Sequence, residues 1–194
     1  MALDADPIGV TKTRATYEDL LAVPDHKVAE IVDGELYVSP RPAGPHSRAT
    51  TVLGVKLGGP FDSGPGGWWL LDEPELHFGA DVLVPDLAAW RRERMPRNPG
   101  AAFYTQAPDW ICEVVSPSTE RLDRSRKMAV YAGEKVGYAW LVNPLSRTLE
   151  VYRSSDGGWV LRATHADQAR ARVEPFDAVE LELAALWIEP PAGS

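Results

Sequence analysis

Residues 108–144 constrain the fold more than any other part of the chain. They begin with an apolar, β-favouring run at 110–115, which a Ser-Pro-Ser-Thr sequence ends. Helical composition at 120–132 then leads into a second apolar run at 138–142. A strand–helix–strand unit of this length predicts a crossover between parallel strands of one sheet.

Glu113 is the acid inside the first of these strands, and Asp86 is the acid inside another apolar run at 82–90. A buried carboxylate is costly unless a positive group meets it. If the two strands are neighbours, both carboxylates converge at one end of the sheet and repel each other. A hard divalent cation such as Mg²⁺, which prefers oxygen ligands, would relieve that repulsion. Exposure on an edge strand, or pairing with an arginine, explains the same acids without a metal.

Lys127 lies on the helix that leaves the Glu113 strand. From there it can reach back to position an attacking water or to stabilise charge on a phosphate. The alternative is a surface lysine paired with Asp123, four residues earlier. His46 is a weaker candidate, either a proton carrier or phosphate ligand at the pocket mouth or an ordinary loop histidine. Tyr131, one turn beyond Lys127, either lines the same pocket or packs within the protein.

The length of 194 residues suits one domain. We expect a flexible arm at 1–14, a single domain at 15–188 and a tail at 189–194. The single cysteine, Cys112, excludes an internal disulfide and favours a reduced, cytoplasmic location. The N-terminus lacks the features of a signal peptide, and no apolar run approaches the ~20 residues that span a bilayer.

A net charge of −8 counts against a protein that coats nucleic acid by charge alone. It does not exclude a nucleic-acid enzyme, because a metal and local basic patches can supply the positive field. Solvated surface is the alternative for each patch. Nucleotide hydrolases, zinc modules and serine esterases are disfavoured, because the chain lacks their motifs. The basic patches comprise Arg91, Arg92, Arg94 and Arg97, and Arg121, Arg124, Arg126 and Lys127.

The rest of the chain predicts further helices and strands around this unit. Asp33-Gly34 is the strongest hairpin signal. Pro85 predicts an edge position or a bulge within 82–90. The other expected elements are helices at 16–23 and 47–57, hairpin strands at 27–32 and 35–38, strands at 68–71 and 75–78, a loop at 91–107, antiparallel strands at 149–153 and 159–164, and a strand and short helix ending at Trp187.

Several segments resemble the Uma-two family of proposed endonucleases, which has the restriction-endonuclease-like PD-(D/E)xK core. The similarity covers roughly residues 15–188, and the Glu-Val-Val-Ser-Pro-Ser-Thr segment is its most specific part. The matching segments are Pro85-Asp86, 113–119, Asp123-Arg124, Lys127 and 138–142, together with 30–36 and Pro45-His46.

The resemblance implies an α/β fold, with a mixed β-sheet flanked by helices and added N-terminal and C-terminal β-hairpins. It also implies Mg²⁺-dependent hydrolysis of phosphodiester bonds, with Mn²⁺ as a substitute and DNA favoured over RNA. Asp86 and Glu113 match the metal-binding acids, and the backbone carbonyl of Val114 would be a further ligand. Lys127 matches a displaced catalytic lysine, and Glu30 matches an acid counted with the site.

One departure from the wider superfamily favours a rival hypothesis. The commonest motif has lysine two residues after the glutamate, where this chain has Val115. With the acidic net charge, this favours a non-catalytic binding or assembly module that retains the nuclease-like fold. Arg124 and Arg126 are candidate phosphate-binding residues, and exposed surface from the seven tryptophans would support a homodimer.

Overall fold

The computed structural model describes residues 9–42, 44–63 and 66–188. The strands in chain order are β1 (Val10–Thr13), β2 (Lys27–Val32), β3 (Glu35–Pro40), β4 (Trp68–Asp72), β5 (Leu76–Phe78), β6 (Asp81–Leu83), β7 (Leu87–Arg91), β8 (Trp110–Val114), β9 (Tyr138–Asn143), β10 (Thr148–Ser155), β11 (Gly158–Ala166), β12 (Arg170–Arg172) and β13 (Glu180–Glu182). The helices are α1 (Tyr17–Leu21), α2 (Gly44–Leu57), α3 (Glu120–Leu122) and α4 (Met128–Gly133), with π-helical turns at Gly58–Ser63 and Asp123–Lys127 and a 3-10 helix at Leu183–Leu186.

The strands form two larger sheets and one small hairpin. A five-stranded sheet has the order β1-β3-β2-β6-β5, a six-stranded sheet has the order β11-β10-β9-β8-β7-β4, and β12 pairs with β13. Strands β8 and β9 run parallel, whereas the other neighbours in the six-stranded sheet run antiparallel. Helices α3 and α4 connect this parallel pair, so the predicted crossover is confirmed and the sheet is mixed.

Strand β8 is buried on both faces. Trp110, Cys112 and Val114 pack in one core cluster with residues of α2, and Ile111 packs in a second cluster with Tyr131 of α4. Side chains alternate between the two faces of a strand. Glu113 therefore faces the same side as Ile111, toward the crossover helices.

The predicted hairpin at Asp33-Gly34 is confirmed. Strands β2 and β3 pair from Lys27↔Pro40 to Val32↔Glu35. Asp33 and Gly34 have φ values of 54° and 72°, as a two-residue turn with left-handed central residues requires. The predicted C-terminal hairpin is also present, because β10 and β11 pair in an antiparallel ladder.

The structure departs from two sequence expectations. Val10–Thr13, expected in a flexible arm, pairs with β3; residues 1–8 and 189–194 lie outside the described residues. The apolar run at 82–90 is not one edge strand, because β6 belongs to the five-stranded sheet and β7 to the interior of the six-stranded sheet. Pro85 lies between these strands, where its missing N–H removes no ladder hydrogen bond.

Within the described ranges, no helix has the length and apolar character needed to cross a membrane.

Candidate active site

A cavity of about 310 Å³ lies where the chain passes from one sheet to the other. The predicted residues Glu30, His46, Asp86, Glu113 and Lys127 all line it. They come from β2, α2, the segment before β7, strand β8 and the π-helical turn between α3 and α4. The fold therefore gathers side chains that are far apart in the sequence.

Strand register explains why Asp86 lies near Glu113. Leu87 pairs with Cys112 in the antiparallel ladder of β7 and β8, so extending the ladder by one residue places Asp86 opposite Glu113. The Val114 backbone N–H donates to Oδ2 of Asp86 at 2.7 Å. Nε2 of His46 lies 3.1 Å from Oδ1 of Asp86. Both oxygens of this carboxylate are thus held at the end of the sheet.

The Lys127 ammonium lies at the centre of a buried ionic network. Its Nζ is 2.8 Å from Oε1 of Glu30, 2.9 Å from Oε1 of Glu113 and 3.5 Å from Oδ1 of Asp123. Burial opposes the charge, but the Glu113 and Glu30 carboxylates outweigh it and raise the pKa of Lys127 well above its usual value. The ammonium therefore stays protonated at neutral pH.

Glu30 and Tyr131 hold the network from two further directions. Oε1 of Glu30 also accepts from the Val84 backbone N–H at 2.8 Å, which ties β2 to the segment before Asp86. The Tyr131 hydroxyl donates to Oε1 of Glu113 at 2.6 Å, and both side chains are buried. Tyr131 therefore contacts Glu113, which lines the cavity, but is not itself among the described lining residues.

The acids outnumber the cations in this cluster, and burial disfavours their charged forms. Burial raises the pKa of Glu113 well above its usual value, although Lys127 opposes the shift. Burial likewise raises the pKa of Asp123 to about 6, again opposed by Lys127. An additional cation would stabilise the charged forms of these carboxyl groups.

The donor chemistry fits a hard divalent cation. Lys127 and Tyr131 both contact Oε1 of Glu113. The described side chains include no ready-made group of three or more His, Cys, Asp or Glu arranged for a metal. Mg²⁺ commonly uses one or two carboxylates and completes its coordination with water and substrate oxygens. Asp86 and Glu113 suit that arrangement.

The candidate phosphate-binding arginines lie away from the cavity. Arg124 forms ion pairs with Glu120 and Glu150, and Arg126 pairs with Glu35. Neither arginine is among the described residues that line the cavity. Their role in phosphate binding stays a prediction that these contacts do not favour.

Asp123 is the cavity residue that sequence reasoning missed. It was expected as part of a family-matching segment and as the partner of a surface lysine, but was given no place in the site; in the structure it is 4% exposed and lines the cavity with Lys127. The surface alternative for Lys127 is therefore wrong, although the contact between the two residues is real. Their spacing of four residues was the available signal. It could not show which side of the helix is buried.

The structure thus brings acids at the ends of adjacent strands beside a lysine from the turn between α3 and α4, which is the arrangement that the restriction-endonuclease-like resemblance implied. In agreement, the chain is similar to a crystal structure described as a putative nuclease belonging to DUF820 from Anabaena variabilis. The TM-score is 0.69 at 22% identity, covering 89% of this chain and 97% of that chain. This likeness shows the fold, and the predicted restriction-endonuclease-like core is confirmed.

Residues 14–185 match the model of the Uma2 family, described as "Putative restriction endonuclease". The match covers most of the chain, so the chain belongs to this family, as its motifs predicted. None of the curated proteins compared with the chain matches it.

Proposed function

We propose that this protein is a metal-dependent endonuclease that hydrolyses phosphodiester bonds in nucleic acid, with DNA as the preferred substrate. The observation that carries the proposal is the cavity in which Asp86 and Glu113 lie beside the ammonium of Lys127. Membership of the family described as "Putative restriction endonuclease" supports the same class of activity.

Asp86, Glu113 and the backbone carbonyl of Val114 would hold Mg²⁺, or Mn²⁺ in its place. When bound, the metal would polarise a phosphoryl oxygen and lower the pKa of a coordinated water. Val114 lines the cavity, and its N–H already fixes the Asp86 carboxylate. Tyr131 and Lys127 together fix Oε1 of Glu113.

Lys127 contributes charge stabilisation. Because the pKa of Lys127 is held high, its ammonium stays protonated and cannot accept a proton from the attacking water. It instead supplies positive charge beside a phosphate in the cavity, where negative charge develops during hydrolysis. Glu30 keeps the ammonium in place through the 2.8 Å ion pair.

His46 orients Asp86 from α2. Burial opposes protonation of this histidine, but its hydrogen bond with Asp86 raises the pKa of His46 above the usual value. In the charged form, the imidazolium donates to Oδ1 of Asp86 and leaves Oδ2 with the Val114 N–H. We propose that His46 positions this carboxylate at the pocket mouth.

The test is cleavage of end-labelled DNA and RNA by wild type, Asp86→Asn and Glu113→Gln, with Mg²⁺, Mn²⁺ or a chelator. We expect each substitution to lower the cleavage rate by at least about 100-fold, and the chelator to abolish cleavage. Glu182→Gln is the matched control, because Glu182 is an exposed carboxylate on β13 paired with Arg170. Equal residual cleavage by a well-folded Glu113→Gln variant would contradict the proposal.

A second candidate is a non-catalytic module that retains the fold. Val115 in place of the motif lysine favours it. The contacts of Lys127 and Tyr131 with Glu113 also favour it, because they give this carboxylate partners without a metal. Titration calorimetry with Mg²⁺ and Mn²⁺ separates the candidates. No binding at millimolar metal would favour the module, whereas binding that Glu113→Gln abolishes would count against it.

A cytoplasmic location and a homodimer are further proposals. The tryptophan surface expected for the dimer is not present, because five of the seven tryptophans are buried and the other two are half-buried. The single cysteine, buried in β8, supports a reduced compartment. Light scattering of the purified chain tests the dimer, and a monomer across the micromolar range would contradict it.

A further inference from the structure

We propose that the cavity takes an unpaired stretch of nucleic acid and excludes the intact duplex. This inference rests on the proposed nuclease function and names the substrate class of the same site. Four properties of the described residues support it: the burial of the reactive groups, the size of the cavity, the prolines that line it and the scarcity of cations around it.

Two of the proposed reactive groups are almost completely buried. Glu113 and Lys127 are each 2% exposed, and the Asp86 side chain is 14% exposed. A duplex is a stiff rod that carries its phosphates on a broad outer surface. A phosphate fixed in that surface has poor access to side chains that are almost completely buried. Unpaired strands bend freely, so their backbone can enter the cavity.

The size of the cavity agrees with a narrow substrate. Its volume of about 310 Å³ lies at the lower end of the range of ~300–1,000 Å³ that is typical of small-ligand sites. A space of this size holds a single nucleotide-sized group. Enzymes that act on a buried or paired nucleotide meet the same geometric problem by taking the nucleotide out of the stack.

The described lining of the cavity is rich in proline, and its exposed members form the rim. Proline fixes its own φ angle, so a rim rich in proline resists widening. Leu145 stands beside Pro144 at this rim and is 64% exposed. The prolines among the lining residues are Pro40, Pro42, Pro45, Pro117 and Pro144.

The rim also lacks the row of cations that a duplex-binding surface uses. Apart from Lys127 and His46, Arg41 is the cation among the described lining residues, and its guanidinium already pairs with Glu73. Phosphate neutralisation contributes to binding of both forms but more strongly for the duplex, whose salt slope is about −0.9 per neutralised phosphate against about −0.7 for single strands. With a net charge of −8, the chain is poorly suited to that mode of binding.

The described lining contains no phenylalanine, tyrosine or tryptophan on which a base would stack. The described lining therefore offers a base no stacking contact. We expect no preference among the four bases.

The test uses one labelled DNA sequence in three forms: single-stranded, fully paired, and paired with a central unpaired loop. With Mn²⁺ or Mg²⁺, we expect cleavage of the single strand and of the loop at least about 100-fold faster than cleavage of the duplex, because freeing a paired nucleotide disrupts about two base stacks. Matched RNA forms show which sugar the site accepts. Duplex cleaved as fast as the single strand would overturn this inference and leave the proposed function intact.

A pair of rim variants localises the effect. Leu145→Glu places a negative charge at the cavity mouth and should lower kcat/KM on the single strand about tenfold. Leu161→Glu makes the same change at an exposed leucine of β11 outside the cavity lining and should leave kcat/KM unchanged. Equal effects of the two variants would overturn the assignment to this cavity.

If no form is cleaved with either metal, the proposed catalytic function fails and binding decides the present inference. The same oligonucleotides are then titrated in fluorescence anisotropy. The inference is supported if the protein binds the single strand, Leu145→Glu weakens that binding and Leu161→Glu leaves it unchanged. Equal binding of duplex and single strand, or no binding of either, would overturn it.

Discussion

Lys127 and Arg124 belong to the same π-helical turn, Asp123–Lys127, but they occupy opposite environments. The Lys127 side chain is 3% exposed and contacts Glu30, Glu113 and Asp123 in the cavity. Arg124 is about one-third exposed and pairs with Glu120 and Glu150 on the other side of the turn. One short basic segment thus supplies both a buried site and a solvated ion pair.

The tyrosines repeat this contrast. Tyr131 donates to Glu113 at 2.6 Å within the buried network, and Tyr152 donates to Glu150 at the same distance in the solvated one. The two networks therefore have similar contacts and differ chiefly in burial. Burial decides which carboxylates need an additional cation, because water screens the charges of the outer network.

The largest contrast should come from removing each cation. Lys127→Met leaves buried carboxylates without their counter-ion, and we expect a loss of about 3–5 kcal/mol in the free energy of unfolding. Arg124→Met breaks a partly exposed pair and should cost about 1 kcal/mol or less. Denaturant unfolding measures both changes. Equal losses would show that burial does not distinguish the two networks.

The second contrast is the pH dependence of two acids. The pKa of Asp123 is raised to about 6, above the ~3.9 of an unfolded chain. Its contribution to stability is therefore present below about pH 4 and is lost as the pH rises through about 6. Asp123→Asn removes this loss. The free energy of unfolding of the variant, relative to that of wild type, should therefore increase by up to about 3 kcal/mol between pH 4 and pH 8.

Glu150 should show the opposite sign, because the hydrogen bond from Arg124 lowers the pKa of Glu150. Its contribution is present above the unfolded-state pKa and is lost as the pH falls through the folded-state pKa. Glu150→Gln should therefore destabilise the protein at neutral pH and have less effect under acidic conditions. Unfolding curves measured from pH 3 to pH 8 test both signs, and parallel pH profiles for the two variants would contradict them.

The two tyrosines give a matched comparison without a change of charge. Tyr131→Phe removes a buried hydrogen bond to a carboxylate and should cost about 1.5–3 kcal/mol. Tyr152→Phe removes the corresponding half-buried bond and should cost less than half as much. Thermal and denaturant unfolding measure the difference, and cleavage assays should show a loss for Tyr131→Phe alone. A larger stability loss for Tyr152→Phe would reverse the assignment of the buried network.

The smallest effect is expected at Arg126, which pairs with Glu35 on the surface. Arg126→Gln should change the free energy of unfolding by less than about 1 kcal/mol and leave cleavage nearly unchanged. The same assays used for Lys127 measure both quantities. A strong loss of cleavage without a loss of stability would give Arg126 the phosphate-binding role that the sequence suggested.

Local patterns in the sequence were sufficient to predict the central unit. The apolar run around Glu113, its Ser-Pro-Ser-Thr break and the following helix indicated the β8–β9 crossover, which the structure confirms. The Asp33-Gly34 turn likewise predicted its hairpin. Both signals are contained within short segments, so neither depends on contacts between distant residues.

The parts that were missed depend on such contacts. Asp123 lies buried in a turn whose Lys127 contacts Glu30 of β2 and Glu113 of β8, and no local sequence pattern predicts those long-range contacts. The pairing of Val10–Thr13 requires the exposed edge of β3, which lies outside the segment itself. The division of the run at 82–90 between two sheets depends equally on partners elsewhere in the chain.

The short passage between β6 and β7 makes chain length a constraint on the site. Leu83 ends a strand of one sheet and Leu87 begins a strand of the other, while Val84 is tied to Glu30 and Asp86 to Val114. An insertion or deletion here would shift the register of one sheet against the other and displace the acid between them. The Asp156-Gly157 turn at the far end of the β10–β11 hairpin carries no such ties to the cavity, so loop length can vary there without disturbing the acids.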